Sequence, residues 1–142
     1  MSVKLDSLPV FFADVCTKIH AECFDEPWGQ KDFETLLALP TTKGIILTEG
    51  FILCCVLPDE IEILTFCILP EFRKQGKGIF LIKQVQQYAL QQKIPSIFLE
   101  VSAENQPAIS LYKKMGFEQF AVRPKYYHHT TDALCLKYCP TF

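Results

Sequence analysis

The sequence predicts one α/β domain of the α+β kind, in which helices cover the faces of a mixed sheet. The chain has 142 residues, the length of a single domain, so residues 1–142 are expected to form one unit. Hydrophobic residues make up 49% and charged residues 21%, which is enough apolar surface for a large core. Adjacent β-rich runs are followed by alternating strand and helix patterns, which indicates a mixed sheet.

The first half of the chain is predicted to contain two helices and then an antiparallel meander. Residues 8–23 mix apolar and polar positions at helical spacing, and Pro27 and Gly29 interrupt that pattern. A second helix is expected over residues 30–39, because Pro40 stops it. Three β-rich runs joined by short turns follow at residues 44–48, 51–56 and 61–68.

The second half is predicted to alternate strands and helices. A long helix is expected over residues 76–92 and a shorter one over residues 105–115, with Gly116 as its C-terminal cap. Strands are expected at residues 96–101, 117–122 and 133–138. A strand, helix, strand unit followed by a last hairpin adds parallel pairing to the meander.

Composition argues against several classes of protein. The net charge of −2 lacks the cationic excess that sequence-independent binding to nucleic acid requires. The longest nearly apolar stretch, residues 51–57, is far shorter than the ~20 residues that span a bilayer, and the N-terminus does not resemble a secretory signal. The seven cysteines form no CxxC pair. We therefore expect a cytoplasmic protein that binds no metal, nucleic acid or membrane.

A basic loop with two glycines precedes the long helix. Residues 73–78 read Arg-Lys-Gln-Gly-Lys-Gly, and this spacing lets several backbone amides point the same way. Together with the helix N-terminus and the basic side chains, the loop suits a pyrophosphate. It is not a Walker A motif, because Gly78 stands where Ser or Thr is needed, and it lacks the GxGxxG spacing of dinucleotide-binding folds. From these residues alone, an ordinary basic helix start is an equal alternative.

Two motifs in order resemble the GNAT family of acetyl-CoA-dependent N-acetyltransferases. Arg73, Gly76 and Gly78 match the pyrophosphate loop of that family, which reads Gln or Arg, then xxGx, then Gly or Ala. The second motif comprises Phe98-Leu-Glu-Val, Asn105, Ala108, Leu111-Tyr112 and Gly116-Phe117. The likeness covers residues 10–138. It is strongest to bacterial enzymes that acetylate the N-terminal alanine of a ribosomal protein.

The resemblance implies a fold and a cosubstrate. A GNAT fold has a mixed sheet of six to seven strands, about four flanking helices, and two strands that splay apart where acetyl-CoA binds. Residues 66–68 would offer backbone groups to pantetheine and to the oxyanion, and Asn105 would hydrogen-bond the pantetheine arm as well as cap its helix. The residues matched to the acetyl-CoA site are Phe66, Cys67, Ile68, Arg73, Lys74, Gln75, Gly76, Lys77, Gly78, Ile79 and Asn105.

Glu100 and Tyr112 are the catalytic candidates. Attack on a thioester needs a neutral amine, so a base must remove a proton from the acceptor, and strand alternation places Glu100 off the aliphatic face. By resemblance, Tyr112 would donate a proton to the leaving thiolate. The plain alternatives are a solvent-facing carboxylate and an amphipathic core ring. Cys67 could be a covalent nucleophile, but the family transfers acetyl directly, and a small buried strand residue is the favoured interpretation.

Aromatic and acidic residues outside these motifs are candidates for binding the acceptor. Trp28, Tyr126 and Tyr127 could form the walls of an acceptor groove, although simple packing is an equal alternative. His128 and His129 could titrate near neutral pH. Carboxylates that could attract a basic acceptor tail are Asp25, Glu26, Asp59, Glu60 and Glu62.

The expected function is direct transfer of acetyl from acetyl-CoA to the N-terminal α-amine of a protein. The partner implied by the resemblance is the ribosomal protein numbered eighteen of the small subunit, and the enzyme would be a monomer or a weak homodimer. A small amine or a protein lysine would be served equally well by the same cofactor site. A domain that senses acyl-CoA without turnover is the alternative from another class, and the presence of both Glu100 and Tyr112 argues against it.

Overall fold

A computed structural model describes residues 4–127 and 130–142. The helices are α1 (Ala13–Cys23), α2 (Gln30–Ala38), α3 (Lys77–Gln91) and α4 (Gln106–Lys114). The strands are β1 (Thr42–Leu47), β2 (Gly50–Val56), β3 (Ile61–Ile68), β4 (Ile97–Ser102), β5 (Glu118–Tyr127) and β6 (Thr131–Tyr138). Short 3-10 turns lie at Val10–Phe12 and Pro70–Phe72. None of the described helices is long and apolar enough to cross a bilayer.

Within the described residues, the strands form one six-stranded sheet in the order β1-β2-β3-β4-β6-β5. All neighbours are antiparallel except β3 and β4, which are parallel because α3 carries the chain back between them. β6 lies between β4 and β5, so the last hairpin puts β5 at the edge. A mixed sheet with four helices confirms the predicted fold class.

The parallel strands β3 and β4 pair only at one end. Their ladder consists of Ile61 opposite Ile97 and Glu62 opposite Phe98, and it stops there although both strands continue. Beyond this last pair the two strands diverge. The splayed strands that the resemblance implied are therefore present.

A β-bulge interrupts β3 next to the point of divergence. Across β2, Leu53 pairs with Thr65 and Cys54 pairs with Ile63, which leaves Leu64 as an extra residue. The extra residue reverses the alternation, so Ile63 and Thr65 lie on opposite faces of the sheet. Because a bulge bends and twists its strand, it contributes to the divergence from β4.

The helices cover the two faces of the sheet unequally. α3 and α4 pack along one face, where the buried residues include Ile61, Leu81, Val85, Ile97, Leu99, Ile109 and Leu136. α1 and α2 cover the opposite face only over the first strands, where Phe33, Phe51, Leu53 and Cys67 are buried. The rest of that second face carries partly or largely exposed side chains. We call it the open face, and it comprises Phe98, Glu100, Phe120, Arg123 and Lys137.

Two predicted boundaries differ clearly from the structure. The helix expected from residue 8 begins as a 3-10 turn at Val10–Phe12, after Pro9, and becomes α-helical at Ala13. The strand expected over residues 117–122 extends to Tyr127. Its second half includes Pro124 and charged residues on an exposed edge, so neither burial nor alternation marked it in the sequence.

Candidate active site

The gap between β3 and β4 contains the predicted pantetheine-binding segment. Beyond Glu62 and Phe98, the facing backbone edges share no ladder, so they can accept an extended polar ligand. Phe66 turns towards α4, where its ring lies 6.0 Å from that of Tyr112. Cys67 turns the other way and is buried in the core beneath α1 and α2. The gap therefore opens along the sheet, with the layer of α3 and α4 on one face and the layer of α1 and α2 on the other.

The backbone of residues 73–78 is curled as an anion-binding loop. Lys74 and Gly76 have φ values of 62° and 82°, in the left-handed region that glycine adopts without strain. α3 begins at Lys77. The first main-chain hydrogen bond of this helix runs from Phe80 N–H to the Gly76 carbonyl at 2.9 Å. The amides before Phe80 have no intrahelical acceptor and lie at the positive end of the helix dipole. The residues present thus fit a pyrophosphate.

Gly78 brings the loop against the gap. A Cβ atom at this position would lie 3.1 Å from Cζ of Phe66 and 3.2 Å from Cδ2 of Leu111. Those distances are tighter than ordinary contact, so glycine allows the first turn of α3 to rest on Phe66. The loop and the diverging strands therefore form one continuous surface.

The polar side chains of the loop are partly engaged within the protein. Nε of Arg73 donates to the Ile68 carbonyl at 2.9 Å, which ties the loop to the end of β3. Gln75 donates to a main-chain carbonyl of the preceding turn at 3.3 Å. Nζ of Lys77 lies 4.0 Å from the carboxylate of Glu49. Sequence reasoning assigned these side chains to the ligand, whereas Arg73 also holds the loop in place.

Glu100 lies on β4 just beyond the last β3–β4 pair, on the open face. Its Oε1 lies 2.9 Å from Nη2 of Arg123, a partner that the sequence did not reveal. The Arg123 guanidinium lies 4.8 Å from the centroid of the Tyr126 ring, which packs edge-on against Tyr127 at 5.1 Å. Burial, and secondly the Glu100 carboxylate, raise the pKa of Tyr127. The predicted base and two predicted acceptor residues therefore belong to one cluster.

Tyr112 approaches the gap from α4, on the opposite side of the sheet from Glu100. Its buried ring packs between those of Phe66 and Phe117, with ring centroids 6.0 Å and 5.6 Å away. Burial raises the pKa of the hydroxyl, so it is protonated at neutral pH. The end of α4 is fixed by a Schellman motif, in which Phe117 N–H donates to the Tyr112 carbonyl at 3.0 Å and Gly116 has φ 93°. The predicted glycine cap is confirmed.

Asn105 is the N-cap of α4. Its Oδ1 accepts a hydrogen bond from Ala108 N–H at 3.3 Å. Because this bond uses the amide oxygen, the side-chain NH2 group is not consumed by the cap.

His20 is a buried residue of the site region that sequence reasoning missed. Its Nδ1 accepts a hydrogen bond from Trp28 N–H at 3.1 Å, so the proton of the neutral ring is on Nε2, which lies 3.2 Å from Oγ1 of Thr65. Burial lowers the pKa of His20 to about 4, which keeps the ring neutral. His20 therefore links the loop after α1 to the bulged part of β3. A lone histidine in an amphipathic helix gives no sequence signal for this role.

Cys23 and Cys67 form a hydrogen-bonded thiol pair beside the end of β3. Sγ of Cys23 lies 3.5 Å from the Ile68 carbonyl, the same oxygen that Arg73 contacts. The hydrogen bond from Cys67, and the nearby Arg73, lower the pKa of Cys23 to about 7. The same hydrogen bond and burial raise the pKa of Cys67. Cys67 is therefore held as a thiol, which disfavours it as a nucleophile.

The remaining candidates for acceptor binding lie in different parts of the molecule. Trp28 packs against His20 at 5.2 Å and Phe33 at 5.6 Å, and it lines a surface pocket with Asp32, Thr35 and Leu36. Glu62 shares the face of Glu100, as the register of β3 and β4 requires. His128 and His129 lie outside the described residues. Within those residues, no group of His, Cys, Asp and Glu is arranged to hold a metal ion.

Comparison with known proteins identifies the family. Residues 13–117 match the model of the acetyltransferase (GNAT) family. The chain belongs to this family. It is 30% identical over 111 residues to the ribosomal protein bS18-alanine N-acetyltransferase of Escherichia coli K12. The aligned region covers 75% of this chain and 74% of that enzyme.

Two further comparisons extend this result. Over 125 residues, this GNAT chain is 30% identical to a longer protein of Mycobacterium leprae, covering 80% of this chain and 34% of that protein. The crystal structure of the ribosomal-protein-S18-alanine N-acetyltransferase from Escherichia coli superposes with a TM-score of 0.88 at 21% identity, over 99% of this chain and 96% of that chain. At this identity the superposition establishes a shared fold.

Proposed function

We propose that this GNAT chain transfers acetyl from acetyl-CoA to the N-terminal α-amine of a protein, and that the acceptor is the N-terminal alanine of ribosomal protein bS18. The observation that carries the proposal is the placement of Glu100 and Tyr112 on opposite sides of the β3–β4 gap, next to the loop over residues 73–78. The named activity of the Escherichia coli relative supports the choice of acceptor.

The donor is held by backbone more than by side chains. The curled amides of residues 76–79 bind the pyrophosphate, assisted by the charges of Lys74 and Lys77. The unpaired edge of residues 66–68 and the side-chain amide of Asn105 bind the pantetheine arm. Bound acetyl-CoA supplies the activated acetyl thioester. An amide on the β3 edge stabilises the negative charge that develops on the carbonyl oxygen during attack.

Glu100 and Tyr112 perform the proton transfers. Glu100 accepts a proton from the acceptor ammonium, which leaves a neutral amine able to attack. Tyr112 donates its phenolic proton towards the departing thiolate, and its protonated state at neutral pH suits that role. Because both groups act in one ternary complex, transfer is direct and Cys67 contributes only its backbone.

The acceptor approaches from the open face. Tyr126 and Tyr127 adjoin Glu100 there and bind the first residues of the substrate, whereas Trp28 lines the neighbouring surface of α2. The proposed enzyme works in the cytoplasm as a monomer or weak homodimer, without a metal or nucleic acid.

Acceptor-dependent release of the CoA thiol tests catalysis. A short peptide with the bS18 N-terminal sequence should cause thiol release, whereas its Nα-blocked copy should not. Binding of acetyl-CoA without release for peptides, small amines or lysine would contradict the proposal and indicate a sensor. Release only with small amines or lysine would retain the enzyme class but reject the α-amine acceptor.

A further inference from the structure

Glu62 occupies a distinctive position on β3. It forms the last pair with β4, opposite Phe98, at the point where the two strands separate. Side chains alternate along a strand, so Glu62, Phe98 and Glu100 project from the same face. Glu62 is exposed on this face. It therefore lies at the closed end of the gap, beside the proposed base.

Several charged side chains lie around Glu62. Arg123 forms an ion pair with Glu100 at 2.9 Å, whereas none of the ion pairs within the described residues includes Glu62. Lys137 lies on the same face, with its Nζ 5.7 Å from the centroid of the Phe98 ring, and Phe98 pairs with both Lys137 and Glu62. The Glu62 carboxylate thus lies beside Glu100 without an ion-pair partner among the described residues.

The electrostatic environment supports this arrangement. Partial burial, then the carboxylates of Glu100 and Glu60, raise the pKa of Glu62, and Arg123 opposes that effect. Glu62 and Glu100 are neighbouring carboxylates on one face of the sheet. A cation placed between the two carboxylates would relieve their repulsion.

We propose that Glu62 binds the ammonium group of the incoming acceptor and holds it next to Glu100. This inference rests on the proposed function, because it assumes that the acceptor is an amine that arrives as a cation. The position of Glu62 beside Glu100, without an ion pair of its own among the described residues, suits an incoming ammonium. Glu62 is therefore an acceptor-binding residue, distinct from Glu100, which takes the proton.

The alternative is a carboxylate that only solvates the surface, and a matched variant separates the two. Glu118 is also exposed on the sheet, at the start of β5, where it pairs with Lys137. Glu62→Gln and Glu118→Gln remove the same charge from exposed strand positions. Only the first should alter acceptor binding.

The experiment measures binding and transfer in parallel on the full-length chain. Calorimetric titration of the CoA-loaded protein with the free-amine peptide and with its Nα-acetylated copy gives affinity, and thiol release gives KM and kcat. For Glu62→Gln we expect the free-amine Kd and KM to rise roughly tenfold, because a charge-assisted contact is lost. The KM for acetyl-CoA, the Tm and the behaviour of Glu118→Gln should match the wild type.

Each outcome has a distinct meaning. Transfer by the wild type with unchanged acceptor KM in Glu62→Gln would overturn the inference and leave the proposed function standing. Free-amine binding that depends on Glu62, without transfer, would overturn the proposed function and support the inference. A wild type that binds neither peptide would overturn both.

Discussion

The ion pair between Arg123 and Glu100 joins two strands that are not neighbours. Nη2 of Arg123 on β5 lies 2.9 Å from Oε1 of Glu100 on β4, with β6 between them. The β6 residues that pair with Glu100 and Arg123 are Cys135 and Ala133, both small, so the guanidinium can reach across the sheet. The edge strand thereby orients the proposed base.

This relationship predicts a coupled pair of mutational effects. Glu100→Gln should lower kcat by about 10²- to 10⁴-fold, the usual contribution of a general base. Arg123→Gln should lower it by less, because Arg123 only positions Glu100. In the Glu100→Gln background, Arg123→Gln should have little further effect on kcat. Independent, multiplicative effects of the two substitutions would contradict this role.

Tyr112→Phe should lower kcat by about 100-fold and leave KM for acetyl-CoA nearly unchanged. The phenyl ring keeps its packing on Phe66 and Phe117, so only the hydroxyl, the proposed proton donor, is lost. Tyr138→Phe is the control, since that ring also contacts Phe117, at 5.5 Å, without facing the gap. Rates for Tyr112→Phe equal to the wild type at saturating acceptor would remove Tyr112 from the mechanism.

His20 should make folding stability depend on pH. Its pKa is about 4 in the folded protein, below the ordinary value of 6.5, so the unfolded chain binds the extra proton more readily. The contribution of neutral His20 to the free energy of unfolding is therefore complete above pH 6.5 and is lost as pH falls towards 4. The loss amounts to at most about 3 kcal/mol. Urea unfolding across this range checks the slope. His20→Asn should remove this share of the pH dependence, and an unchanged slope would show that His20 does not titrate this way.

Cys23 should react with iodoacetamide at neutral pH, with a rate that is half-maximal near pH 7. Peptide mapping by mass spectrometry identifies the site, and the exposed Cys139 serves as the control for reagent access. Cys67→Ala removes the hydrogen bond that does most to stabilise the Cys23 thiolate, so the midpoint should move towards the ordinary value of 9.0. A midpoint that stays near pH 7 in Cys67→Ala would exclude the thiol pair as the cause.

The sequence predicted features that depend on local residue chemistry. The loop over residues 73–78 and the cap at Gly116 each follow from glycine at positions with positive φ, at Gly76 and Gly116. The fold class followed from periodicity and from the order of the elements. These signals depend on residues that are close together in the sequence, so they could be interpreted without a structure.

Features that depend on distant residues were not predictable. Leu64 becomes a bulge only through its register against β2, and Arg123 meets Glu100 only because β6 inserts between their strands. His20 likewise gains its partners from a loop and a strand distant in sequence. The position of Glu62 beside Glu100 could not be predicted for the same reason, since it requires the register of β3 against β4.

Mass spectrometry of the reaction product identifies the acceptor amine, which we propose is a protein α-amine. A short alanine-initiated bS18 peptide that also contains lysine would be incubated with acetyl-CoA and enzyme, and fragmentation would locate any acetyl group. We expect one acetyl group on the N-terminal amine and none on the Nα-blocked copy. An acetyl group on lysine alone, or no product although acetyl-CoA binds, would contradict the proposal.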